Sequence, residues 1–384
     1  DTSNEVSPVF VHPWVSIAMD GKNLFQELAE FSSTTQQEIA SLASQLETAV
    51  ESAYKLEIGE RHQISELIER ASSNAGLSDE ADKEEVNNTA STSQVVHGAV
   101  SYLLGCSVGR WDIRLATGER QPPELPDPFD PLPVCPPGML QGPDGLPAKP
   151  EDVPSNYPIR IDWDGILVDD PGHEDDIIRR VQDVLEVIWK DRAEAIEREA
   201  WEILGVRELR DYFRKPGNGG FWMDHVKRYS KSRRKAPIYW YLRSAKGNYG
   251  LWLYYHRLDK DILFKALLNY VEPKIRLEED RLKTLRGRKE AAGSSGREAK
   301  QIEKDMDRQE QFVSELHDFA DKLRRAANLH LVPDLNDGVV LNIAPLWELV
   351  PWKEAKEYWE SLVEGKYEWS SIGKQMCEKG LVKK

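Results

Sequence analysis

Two apolar stripes of equal length, separated by a short flexible turn, restrict this 384-residue chain most. The first holds Phe264, Leu268, Val271, Ile275, Glu278, Leu282 and Leu285. The second holds Ile302, Met306, Gln309, Val313, Leu316, Ala320 and Leu323. Both alternate steps of four and three residues, the spacing that puts side chains along one seam of a helix. GSSG at 293–296 lets the second stripe fold back on the first. The expected product is an antiparallel helical hairpin over residues 261–328, with arms of roughly 40 Å at ~1.5 Å per residue. Pro273 falls inside the first arm and is expected to kink it, because it lacks an N–H and crowds the preceding turn.

The rest of the chain reads as mixed but mainly helical. Leu42, Leu46, Val50 and Tyr54 stand at helical spacing in an N-terminal region, 1–94. The acidic stretch 76–88 is poor in apolar residues and reads as an exposed loop. Residues 95–260 are expected to form a central α/β domain. It opens with an apolar helix ending near Gly105. A proline-rich strap over 121–158 follows, barred from helix interiors and central strands. Its length favours a packed or functional role over a plain connection. A strand is expected at 160–168, then one helix from about Glu174 to Leu204, ended by Gly205. Leu209–Arg214 adds a short amphipathic piece. Ile238–Leu242 and Leu251–His256 form a β-hairpin around Lys246–Gly250. A tail, 329–384, packs back on the central domain. The fold class is therefore α+β, predominantly helical, with a long antiparallel helical hairpin.

Charge singles out one segment. The chain carries a formal net charge of −15. Yet six cations crowd into nine residues: Lys227, Arg228, Lys231, Arg233, Arg234 and Lys235. Tyr229, Ser230 and Ser232 lie between them and can also donate to phosphate. Cationic runs are often no more than solvated loops. This one leads straight into an aromatic hairpin, which favours a shaped anion-binding surface with nucleic-acid phosphate as ligand. The candidate DNA-contacting residues are Lys227, Arg228, Tyr229, Lys231, Ser232, Arg233, Arg234 and Lys235, with Arg243 and Lys246 as a second tier. The aromatics beyond are read as core first, with Tyr239, Tyr241 and Tyr249 as the candidates for base stacking. Because an anionic body repels DNA beyond a Debye length, any binding should be local and salt-sensitive.

Catalytic signatures are missing from the sequence. It has no GxxxxGK[ST] loop, no HExxH, no GxSxG elbow, and no Asn/Asp-Pro-Pro-Phe/Tyr tetrad of DNA amino-methyltransferases. A carboxylate nuclease pattern can be assembled from Asp334, Glu354 and Lys356, but such short patterns arise by chance. Asp169, Asp170, His173, Asp175 and Asp176 could hold a hard cation. Acids at a helix start more often cap its free N–H groups, and capping is the expected role. No metal site is assigned. Three scattered cysteines, no signal peptide and no apolar run near the ~18 residues of a membrane span place the chain in a reducing cytoplasm, away from membranes. It starts at Asp1 without Met, as a fragment or the ordered part of something longer would.

Several phrases together resemble a known family. They are GCSVGRWDIRLATGER with DPFDPLPVCPPGML (105–140), IRIDWDGILVDDPGHEDDIIRRVQDVLEVIW (159–189) and EILGVRELRDYFRKP (202–216). YSKSRRKAPIYWYL (229–242) and DLNDGVVLNIAPLWELVPW (334–352) complete the set. The combination resembles the C-terminal half of the large adenine-specific DNA methyltransferases of phage-defence systems: the BREX (Pgl-like) group and its relatives in DISARM and restriction–modification enzymes. The resemblance covers about 95–360. It implies a target-recognition and spacer role, with double-stranded DNA as partner. It also implies S-adenosylmethionine on a catalytic segment or subunit upstream, not on this chain, and other defence subunits as further partners. Two other readings stay open: an interaction scaffold and a Mg-dependent nuclease component.

Overall fold

A computed structural model describes residues 5, 7, 10–11, 24–54, 63–64, 67, 91–124, 127, 129–231, 234–292 and 297–382. Helix α1 spans Leu24–Tyr54 and α2 spans Thr92–Ser107. Every residue of α2 from Val96 onward is buried. Ser91 and Gln94 cap its start reciprocally, each side chain accepting from the other's backbone N–H. Gly105 is needed for close approach, since a Cβ there would lie 2.3 Å from Trp111 Cδ1. The short α3 (Ile113–Thr117) follows, capped by Asp112. The far part of the strap folds back on itself at Gln141–Pro147, passes through a 3₁₀ turn (Pro150–Asp152) and is tied by an apolar cluster of Leu140, Ala148 and Ile161. Phe129, Leu132 and Val134 in its first half face solvent.

Strand β1 (Ile166–Val168) leads to α4 (Ile177–Trp189), α5 (Ala193–Leu204), α6 (Leu209–Arg214) and α7 (Phe221–Arg228). The single helix expected over 174–204 is thus two. The chain breaks at Lys190, which adopts φ 49°, before a 3₁₀ turn. Folding back lets Ile177, Val181 and Val184 of α4 and Ile196 and Ala200 of α5 bury in one core. No straight helix could do that.

One small ribbon and one sheet follow. β2 (Ser230–Lys231) pairs with β3 (Arg234–Lys235). β4 (Tyr239–Arg243) and β5 (Gly250–Tyr254) form the expected aromatic hairpin. β1 pairs antiparallel with β5, so the sheet order is β1–β5–β4. All three strands are buried almost throughout, which is why they read as unbroken apolar runs. Tyr241 stacks on Trp252 across the pair at 4.5 Å.

The arm begins with α8 (Ile262–Lys265), passes through a π-helical segment (Ala266–Val271) and continues as α9 (Glu272–Ala292). Helix α10 (Arg297–Ala327) returns beside it. The π segment sits immediately before Pro273, whose ring and missing N–H disfavour a regular turn there. It also shifts the seam by one position. Leu267 is buried in place of the expected Leu268, which is 52% exposed. From its last residue onward Val271, Ile275, Glu278 and Leu282 are buried, as are Ile302, Val313, Leu316 and Leu323 of the returning helix. The tail carries α11 (Val339–Ile343), α12 (Lys353–Val363) and α13 (Ser371–Glu378). Leu341, Ala344, Leu362, Ile372 and Met376 make a small second core there. The fold is predominantly helical α+β, as the sequence implied. No helix among the described residues is long and apolar enough to cross a membrane.

Leu282→Asp tests the seam, since it puts a charge at a buried arm position. The expected result is loss of amide protection in the outer turns of α9 and α10, by about 2–4 kcal/mol in local opening energy. Protection of β4 and β5 should persist. Loss of protection in both places together would show that the arm and sheet unfold as one.

Candidate nucleic-acid interface

The described residues of the cationic run do not form a loop. They form the end of α7 followed by a two-stranded ribbon with register Ser230↔Lys235 and Lys231↔Arg234. Its base is fixed by several contacts. Tyr229 O accepts from Ala236 N at 3.0 Å, closing the ribbon. His225 Nε2 accepts from Ile238 N at 2.9 Å and Tyr239 N at 3.0 Å, which requires that nitrogen to be unprotonated. Burial, with Arg110 and Arg228 nearby, holds His225 well below the usual histidine range, so this lock persists across the physiological range. Arg110 donates to Tyr229 Oη at 2.5 Å and pairs with Glu5 at 2.6 Å, and its guanidinium lies 4.2 Å from the Trp111 ring centroid.

The candidate residues divide accordingly. Lys227 is exposed at the end of α7. Arg228 donates to Gln94 O at 3.0 Å. Tyr229 is half-buried, its hydroxyl on Arg110, and burial pushes its phenol well up. Lys231 and Arg234 stand in β2 and β3. Ser232 and Arg233 lie outside the described residues. Lys235 pairs with Glu354 of α12. Arg243 and Lys246 belong to the other hairpin. Arg243 donates to its own turn at Ala245 O (3.4 Å) and Lys246 O (3.1 Å), and Lys246 donates to Gln311 at 3.1 Å. Tyr239, Tyr241 and Tyr249 are all buried and cannot stack on bases. The apolar pleat claims them, because the sheet is covered on both sides.

The acidic cluster after β1 is an ionic hub. Asp176 caps α4 by accepting from Arg179 N, and takes both terminal nitrogens of Arg210 at 2.8 and 2.7 Å. Asp169 pairs with Arg210 and Arg214. Lys274 of the arm bridges Asp170 at 2.6 Å and Glu278 at 2.8 Å. Asp175 pairs with Arg160 and accepts from Tyr270 Oη at 3.1 Å. Capping accounts for Asp176 alone; Asp169 and Asp170 are neutralised by partners far along the chain, and Asp175 by the nearer Arg160. Among the described residues no group of three or more His, Cys, Asp or Glu side chains could hold a metal ion. The nuclease pattern fares no better: Glu354 is engaged by Lys235, and Asp334 Oδ1 accepts from Asn336 N and Nδ2.

One key residue escaped the sequence reading. Glu315 of α10 accepts from Ser244 Oγ at 2.5 Å, Lys246 N at 2.8 Å and Asn248 Nδ2 at 2.7 Å. It clamps the arm to the β4–β5 turn. Its only signal is an acid standing beside Leu316 in an apolar stripe. Burial opposes its ionisation, yet these hydrogen bonds outweigh burial and hold the carboxyl below the usual range. A folded-state value below the unfolded one stabilises above the unfolded pKa, near 4.5, and that contribution is lost as pH falls through the folded value. Urea midpoints at pH 6 and pH 4 should therefore drop less in Glu315→Gln than in the parent chain. Equal pH dependence in both would remove Glu315 from the acid-sensitive set.

The fold and site together define a class: a helical α+β scaffold carrying a cationic ribbon with a fixed base and a projecting arm. No protein-family profile matches the chain. Two curated proteins are similar to it. The adenine-specific methyltransferase BrxX of Escherichia coli O9:H4 (strain HS) is 27% identical over 278 residues, 67% of this chain and 20% of that protein. The adenine-specific methyltransferase PglX of Lacticaseibacillus casei (strain Zhang) is 26% identical over 286 residues, 70% of this chain and 21% of that protein. The chain is thus similar to the PglX-like adenine-specific methyltransferases, and spans about one fifth of their length.

Proposed function

We propose that this chain is the DNA-recognition and scaffold portion of an N6-adenine DNA methyltransferase from a phage-defence system of the BREX type. The observation that carries the reading is the cationic ribbon, held rigidly at its base on an otherwise anionic protein. Its similarity to two adenine-specific methyltransferases supports it. Ribbon cations would contact phosphate and set the register of the protein on the duplex, and the arm would act as a spacer. The target adenine would be flipped into a pocket of a catalytic segment or subunit.

That segment would hold S-adenosylmethionine. The residues described here do not fit the cofactor. The one strand–turn–helix of suitable form, β1 into α4, has acids where a nucleotide loop needs glycines, and its helix start is filled by Asp176 and Arg210. No methyl-transfer step is assigned to this chain.

The test is binding of the chain to a mixed-sequence DNA duplex over a salt series, with and without S-adenosylmethionine. Salt-steep binding indifferent to the cofactor is expected. No binding at low salt would leave the interaction-scaffold reading in its place.

A further inference from the structure

Helix α1 continues as a regular helix well past the last residue it buries. Leu24, Phe25 and Leu28 are packed in the core beside α2 and α5. At 3.6 residues per turn, the same face continues through Ile39, Leu42, Ala43, Leu46, Ala49, Val50 and Ala53. These positions are exposed, Leu42 at 62% and Leu46 at 66%. A row of this width and length is the seam of a helix bundle, not the scattered apolar surface normal to a soluble protein. An isolated helix also gains little stability in water without packing on its apolar face.

We infer that the outer half of α1 is a docking surface for a cationic amphipathic helix of another polypeptide segment. Two observations select this occupant. The exposed row lies on the same helix face as Leu24, Phe25 and Leu28, which already pack against helices, with Ser32 and Thr35 between the two, so the geometry is helix-on-helix. The helix also carries five glutamates and no lysine or arginine in its 31 residues. Glu38 and Glu47 border the row on opposite edges. A second copy of α1 would set acid against acid, on chains that each carry −15. Lysine or arginine flanking the apolar row of the partner would complement both edges.

The test uses the full chain and two designed 28-residue heptad peptides with leucine at the seam. One has lysine at the flanking positions and the other glutamate. Fluorescence anisotropy should show micromolar binding of the lysine peptide and at least tenfold weaker binding of the glutamate peptide. Leu42→Asp/Leu46→Asp should weaken the lysine peptide tenfold or more, while circular dichroism and melting stay unchanged because both side chains are exposed. Failure of both peptides to bind, or equal binding of the two, would overturn the inference. So would sedimentation showing a dimer that Leu42→Asp/Leu46→Asp dissolves, since that assigns the face to a second copy. Duplex DNA binding is read separately and should not change in the double variant.

Discussion

Asp176→Ala is expected to destabilise the protein by about 3–5 kcal/mol, the range for removing one partner of a buried ion pair. Asp176 does three jobs at once. It caps α4, accepts from Asp170 N at 3.1 Å and holds Arg210 through both terminal nitrogens. Truncation leaves Arg210, only 12% exposed, sharing Asp169 with Arg214. Two guanidinium groups then compete for one buried carboxylate. Asp176→Asn keeps a side-chain oxygen for the cap, so it should regain about 1 kcal/mol. Asp176→Leu/Arg210→Met removes the charges together and should be much closer to the parent than either single change. Urea unfolding midpoints measure all three. A loss under about 1 kcal/mol in Asp176→Ala would show that water reaches the hub and screens it. The hub also matters for the ribbon. Arg210 and Arg214 lie on α6, whose Tyr212 donates to Asp224 of α7 at 2.9 Å, and α7 runs directly into β2. Loosening the hub should therefore loosen the support of the cationic ribbon.

What the sequence conveyed and what it hid follow from the range of each interaction. The arm was legible because a heptad is a local pattern: Ile275, Leu282, Val313 and Leu323 announce their seam by spacing alone. The aromatic hairpin was legible because Lys246–Gly250 separates two apolar runs. Leu268 was misplaced because the π segment changes the count before Pro273, and nothing local says which way the extra residue goes. The break at Lys190 carried no Gly or Pro to mark it; only the shared core of α4 and α5 demands it. The acids 169–176 were read as a cap because their partners Arg210, Arg214 and Lys274 lie 34 to 104 residues away. Glu315 was missed for the same reason, since its turn is about 70 residues distant in sequence. Tyr239, Tyr241 and Tyr249 were ambiguous because an aromatic strand buried on both faces has no alternation to show which side is solvent.

Arg233→Ala/Arg234→Ala is expected to weaken duplex binding roughly 10- to 100-fold at low salt, and to flatten the log–log salt slope by about 2 units, one per lost phosphate contact. The loss should be uniform across sequences, because phosphate contacts position the protein and carry no base information. Fold should be intact, since the ribbon's base is held by His225, Tyr229 and Arg110. Arg243→Ala should change binding little, because its guanidinium donates to its own turn. Glu354→Ala sharpens the assignment. It releases Lys235 from its ion pair and removes an acid from the ribbon's flank. On the recognition reading, duplex affinity rises severalfold and the salt slope steepens. On the nuclease reading, the same change abolishes Mg²⁺-dependent cleavage. Opposite signs from one substitution separate the two readings, and unchanged affinity in both variants with an intact fold would remove the ribbon from the DNA contact.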